Sequence, residues 1–275
     1  MTRIPSPDGL PIPADTRVLL LATVVVLGSA GVTLAAHVHT RWPALRRFPM
    51  LGLHCTAGSV VVLGGLALTG PSILAPAGLS WWRLALGAVL GPGLGLLIVP
   101  VDRRITAWWG VRSEHTVRER RSLELRSAKA RPAGIAAGSA AARTRRTGLI
   151  EARNDFAPTA SDLRVQLWLL VAVAVVEELM FRGVLVALGR QATGTFLVVL
   201  CVLGAQLAFA VSHVFFGWGQ VLAKLPLAAL TTIAVLATGT VLPAVVAHVL
   251  FNVSVWRYHR ATPRVTPAGQ GRWAA

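Results

Sequence analysis

Seven long apolar stretches constrain this chain more than any other feature. They run at about 18–38, 52–74, 83–101, 168–189, 196–216, 220–238 and 241–256. Several approach or exceed the roughly 18 apolar residues that mark a membrane-spanning helix. The expected fold is therefore all-α, a polytopic integral membrane bundle of about seven transmembrane helices. Composition agrees. Charged residues make up only 14% of the chain, against about 25% in a soluble domain, and the mean hydropathy is +0.63.

The net charge of +16 resembles that of a nucleic-acid binder, but its placement argues for membrane topology and against a nucleic-acid partner. Positive charge gathers in alternate links between the apolar runs. Arg41, Arg46 and Arg47 follow the first run, and 14 Lys/Arg against 7 Asp/Glu lie between Asp102 and Arg164. Arg257, Arg260, Arg264 and Arg272 follow the last run. Cytoplasmic loops carry such an excess. The expected protein is a multi-pass protein of the cell membrane, with its N-terminus outside and its C-terminus cytoplasmic. Trp81, Trp82, Trp108, Trp109, Trp168 and Trp256 fall near run ends, where indole rings prefer the interface. Cys55 and Cys201 lie inside apolar runs and form no disulfide framework. The N-terminal "MTRIPSPDGLPIPADTR" lacks the basic region and short apolar core of a cleaved signal peptide, so the first span is expected to remain.

These features divide the chain into an N-terminal tail (1–17), three accessory helices (18–101), a basic cytoplasmic loop (102–164), a four-helix core (165–256) and a basic tail (257–275). Within the loop, "ITAWWGVRSEHTVRERRSLELRSAKA" reads as a surface helix. "RPAGIAAGSAAARTRRTG" reads as mobile. A basic segment beside a bilayer can attract anionic headgroups, although a solvated topology determinant is the simpler reading. There is no internal repeat and no heptad run.

The ionisable residues inside the apolar runs need a reason, because such groups are costly in lipid and face a protein interior or water cavity. In "VVEELMFRGVL" they are Glu177, Glu178 and Arg182. His213 stands in "FAVSHVFFG", and His248 and Asn252 stand in "VVAHVLFNV". Residues four apart share a helix face. Glu178 and Arg182 can thus pair locally, and the bland reading of that pair is a structural tie between helices. Glu177 points about 100° away with no partner on its own helix. His248 and Asn252 also share a face. The simplest assembly brings Glu177, His213, His248 and Asn252 to one cavity, in the cytoplasmic half of the bilayer.

Such a set can do acid–base chemistry on water. A carboxylate beside a histidine can take a proton from water, and a second imidazole with an asparagine amide can donate to an oxyanion forming on a carbonyl. Together these describe amide hydrolysis without a nucleophilic serine. Ser212 directly precedes His213 and so points elsewhere on an ideal helix.

"EELMFR" (Glu177 to Arg182), "FAVSH" (Phe209 to His213) and "HVLFN" (His248 to Asn252) resemble, in order, the EExxxR, FxxxH and HxxxN motifs of one family. It is the CAAX protease and bacteriocin-processing family, also called the ABI family of glutamic intramembrane endopeptidases. The resemblance covers about residues 165–256. It implies that Glu177 and His213 activate water, that His248 and Asn252 form the oxyanion site, and that Glu178 and Arg182 support them. It implies a membrane-embedded or membrane-associated peptide substrate and no cofactor. It also implies about eight helices, which would place one more at 105–130. Three rival readings remain. One is a zinc hydrolase with Glu177, His213 and His248 as ligands, although HExxH is absent. Another is a Glu/His proton-coupled transporter. The third is a non-catalytic scaffold or bacteriocin-immunity or maturation protein. Phe181, Phe209 and Gly183 are expected to serve packing.

Overall fold

The computed structural model describes residues 13–45, 48–75, 77–129, 166–191 and 195–261, and all regular structure among them is helical. Helix α1 is Ala14–Arg41, α2 is Met50–Thr69 and α3 is Trp81–Lys129. Helix α4 fills residues 167–191 as three consecutive pieces: α-helical Leu167–Glu178, a π turn at Leu179–Val184 and α-helical Leu185–Gln191. Helix α5 is Thr195–Ser212, continued by a 3-10 turn at His213–Phe216. Helix α6 is Trp218–Thr238 and α7 is Leu242–Ala261. The segment 131–148, expected to be mobile, and most of both tails lie outside the described residues.

Among the described residues, five stretches have the length and apolarity to cross a membrane: Val18–His39, Met50–Ile73, Trp81–Gly110, Thr195–Phe216 and Trp218–Thr238. The chain is a multi-pass helical membrane protein. Its outer face carries exposed Val26, Leu63, Val89, Phe196 and Leu203, an apolar girdle that water would penalise and lipid accepts. Trp81, Trp108 and Trp168 are also exposed, as interfacial indoles are.

One boundary differs from expectation. The residues from 105 onward, read as a separate surface helix, continue α3 without a break to Lys129. No Gly or Pro occurs between Val111 and Lys129, and the Arg, Glu and Leu residues there are strong helix formers. Asp102, taken as the first loop residue, is therefore inside a helix and buried.

Helix α4 is the centre of the bundle. Every residue from Met180 to Gly189 is buried, as a segment apolar on nearly all sides must be. Helices α1, α2, α5 and α7 surround it. Small residues let them approach, as small residues do between membrane helices. A Cβ on Gly58 of α2 would lie 2.6 Å from Val176 Cγ1. At one end of the bundle, the Ala77 N–H donates to Gly239 O at 3.2 Å and the Val241 N–H donates to Leu74 O at 3.0 Å. These bonds tie the α2–α3 link to the α6–α7 link. Away from that end, the Arg103 guanidinium sits 4.2 Å over the Tyr258 ring and joins α3 to α7.

Candidate active site

Two glutamates end the first piece of α4, and their surroundings differ. Glu178 is fully buried and faces Arg182, whose Nη1 donates to Glu178 Oε1 at 3.3 Å. The same guanidinium reaches α6, with Nη2 donating to Ala228 O at 3.2 Å and Nε to Thr232 Oγ1 at 3.4 Å. Its Cζ stands 4.4 Å from the centre of the Phe209 ring, a cation–π contact. The pair is local in sequence, yet it ties α4, α5 and α6 together. The π turn begins just after Glu178, and the Leu185 N–H bonds back to Met180 O. Gly183 within it faces the backbone of Ile73, whose carbonyl oxygen would lie 2.7 Å from any Cβ there. Glycine is needed for that approach.

Glu177 has imidazole partners. Its Oε1 is 3.0 Å from Nε2 of His54 on α2, with both side chains 4% exposed. Its Oε2 is 3.8 Å from Nε2 of His248. Nδ1 of His248 lies 2.8 Å from Glu178 Oε1. An ionised carboxylate only accepts, so His248 donates from Nδ1 to Glu178 and turns Nε2 toward Glu177. One imidazole thus bridges both glutamates.

His213 opens the 3-10 turn after α5 and is half-buried. Its Nδ1–H donates to Phe209 O at 3.0 Å, which leaves Nε2 with a lone pair. The ring also rests on Phe209, with centroids 5.1 Å apart. The F-x-x-x-H spacing therefore has a local cause: one residue supplies both the carbonyl and the ring that orient the histidine. Phe209 touches the His248 ring as well, at 5.5 Å, and Phe181 edge-on at 5.6 Å. Asn252, one turn beyond His248, donates from Nδ2 to Leu170 O at 3.1 Å and so fastens α7 to α4.

Direct contacts thus join Glu177, Glu178, Arg182 and His248. His213 reaches the group through Phe209 and makes no ion pair with Glu177 within 4.0 Å, and Asn252 engages the α4 backbone. Ser212 Oγ donates to Phe209 O at 2.7 Å and lies 3.1 Å from His213 Nδ1. It does not point away from His213 as ideal α-helical spacing predicts, because the helix tightens to a 3-10 turn at His213. Among the described residues, no group of three or more His, Cys, Asp or Glu side chains is arranged to hold a metal ion.

Two features escaped the sequence reading. His54 falls near the start of the second apolar run, with nothing in its spacing to single it out, yet its ring nitrogen is 3.0 Å from Glu177. Lys224 on α6 donates from Nζ to Asp102 Oδ1 on α3 at 2.6 Å, and Nζ stands 4.3 Å over the Phe251 ring. A signal was available, because Lys224 is the sole Lys or Arg between Arg190 and Arg257.

The fold and site together define a multi-pass helical membrane protein with a buried carboxylate–imidazole cluster. Residues 159–254 match the family model described as "Type II CAAX prenyl endopeptidase Rce1-like". The matched segment holds Glu177, Glu178, Arg182, His213, His248 and Asn252, and over that length the chain is similar to a family of membrane proteases. No curated protein and no solved structure matches the chain.

Proposed function

We propose that the protein is an intramembrane endopeptidase that cleaves a peptide bond with activated water and no covalent intermediate. The observation that carries this reading is Glu177, a buried carboxylate whose ion-pair partners are both imidazoles. Imidazole exchanges protons near neutral pH and guanidinium does not. Glu177 accepts a proton from water on Oε2. The His213 Nε2 lone pair holds the water's second hydrogen, with the water in the interval between the two side chains. The oxygen attacks the scissile carbonyl carbon, and the new oxyanion accepts hydrogen bonds from Asn252 and from Nε2–H of His248, which acts as an imidazolium with its other N–H on Glu178. An amide carries two N–H donors, so Asn252 keeps one after its bond to Leu170. Collapse breaks the C–N bond, and the proton on Glu177 passes to the leaving amine. Glu178 and Arg182 hold His248 and α6 in place.

In this reading α4 and α7 cross the bilayer with the other five spans, the N-terminus is outside and the C-terminus is cytoplasmic in the cell membrane. No resident cofactor is required. The substrate is a peptide embedded in or attached to the membrane. The similarity to CAAX prenyl endopeptidases makes a prenylated C-terminal peptide the first one to try. Glu177→Ala and His213→Ala are each expected to abolish cleavage while the protein still inserts and purifies as a folded species. Wild-type rates in both variants would overturn the proposal.

A further inference from the structure

The family-like segment begins at residue 159, yet the group closest to Glu177 lies outside it. We propose that His54, on accessory helix α2, is a positioning residue for Glu177: it holds one carboxylate oxygen so that the other is presented to water. The inference rests on the reading of Glu177 as the base.

The geometry assigns the two oxygens different tasks. An ionised carboxylate is acceptor-only, so the 3.0 Å contact is a bond donated by His54 Nε2–H to Oε1. A charge-assisted bond of this kind fixes rotation about the terminal torsion. Oε2 then faces His248 Nε2 at 3.8 Å, too far for a full hydrogen bond and free to take a proton. The His54 ring is itself set between two helices. A Cβ on Gly31 of α1 would fall 2.9 Å from Nδ1, so only glycine leaves the ring its place. Much of its setting is apolar. His54 borders a cavity of about 310 Å3 walled by Leu27, Leu34, Leu53, Val61 and Met180. Glu177 is thus the polar group that orients the ring, and the ring in turn orients Glu177. The accessory helices complete the site in this arrangement, and the C-terminal bundle alone lacks the group that holds its base.

The test compares His54→Leu, which removes the donor, with His54→Gln, whose amide N–H extends a donor to a similar reach. Both are measured on a membrane peptide that the wild type cleaves, beside Glu177→Gln. His54→Leu is expected to lower kcat by about 10- to 100-fold, the range for a hydrogen bond to a charged group, with KM unchanged. His54→Gln is expected to recover most of kcat. Gly31→Ala, which displaces the ring but keeps the imidazole, is expected to lower kcat in the same sense. A His54→Leu enzyme with wild-type kcat would overturn the inference. So would a His54→Gln enzyme as slow as His54→Leu when both melt with the wild type. A substrate-free measurement runs in parallel on protein labelled with 15N-histidine in detergent. Glu177→Gln is expected to move the His54 ring-nitrogen resonances, and unmoved resonances would show that the bond is absent and overturn the inference. The two failures are separable. If Glu177→Gln cleaves normally, the reading of Glu177 as the base falls. If Glu177→Gln is inactive while His54→Leu is unaffected, only the role of His54 falls.

Discussion

Glu177 and Glu178 are adjacent in sequence and both are buried, yet the protein surrounds them in opposite ways. Glu178 meets a guanidinium that stays charged, an imidazole N–H, and through Arg182 the backbone of α6. Its charge is compensated and its neighbours are fixed. Glu177 meets imidazoles. The pair formed by Lys224 and Asp102 resembles the Glu178 side of this contrast, one cation closed against one anion between α3 and α6. The lesson is that burial alone does not mark a reactive group. A buried acid closed by a permanent cation is a structural tie, whereas one faced by groups that gain and lose protons can take part in proton transfer.

The largest expected effect attacks the closed pair. Arg182→Met leaves Glu178 buried without its cation, and removing one partner of a buried pair costs about 3–5 kcal/mol. Thermal unfolding in detergent should show a large loss, and cleavage should fail through misfolding. If Arg182→Met melted like the wild type, the structural role assigned to this pair would be wrong. Next in size is Asn252→Ala. Loss of one oxyanion donor typically lowers kcat by about 10²–10³-fold, so steady-state kinetics should show a fall in kcat without a matching loss of stability.

The Lys224–Asp102 pair sharpens the comparison from the other side. Lys224→Met alone should destabilise by about 3 kcal/mol, read from the same melting curves. Adding Asp102→Leu should restore most of that stability, because a well-packed apolar replacement of a buried pair is often neutral. If the double variant were as unstable as the single one, the pair would be more than a closed tie. The smallest effect belongs to Ser212→Ala. It removes a hydroxyl that bonds Phe209 O and lies 3.1 Å from His213 Nδ1, a neutral hydrogen bond being worth about 1 kcal/mol. Cleavage should stay near wild type because Phe209 O still holds Nδ1. Abolished cleavage would contradict a mechanism that does without the Ser212 hydroxyl.

The contrast is partly legible in the sequence. Glu177, Glu178, Arg182, His213, His248 and Asn252 stand out because ionisable or amide groups in an apolar run are rare, and helical spacing alone pairs Glu178 with Arg182. The helical, multi-pass character followed from run length. Other features depend on contacts that sequence spacing does not encode. His54 and Glu177 are 123 residues apart and Lys224 and Asp102 are 122 apart, so periodicity on one helix could not join either pair. The fusion of residues 105–129 to α3 was hidden because a rise in charge was read as a helix end. The π turn at Leu179–Val184 is a local backbone widening in which Gly183 lies against the Ile73 backbone, and the residue spacing in "LMFRGV" does not signal it. Even Phe209, expected only to pack, proves to support Arg182, His213 and His248 together.

The most direct test of Glu177 as the base compares purified wild type with Glu177→Gln in detergent, on one membrane-peptide library, with and without a metal chelator. The expected result is cleavage by the wild type that survives the chelator and falls by at least about 100-fold in Glu177→Gln, at an unchanged melting temperature. Cleavage by Glu177→Gln at the wild-type rate would contradict a glutamate base. Wild-type cleavage that the chelator abolishes and added zinc restores would contradict a metal-free one.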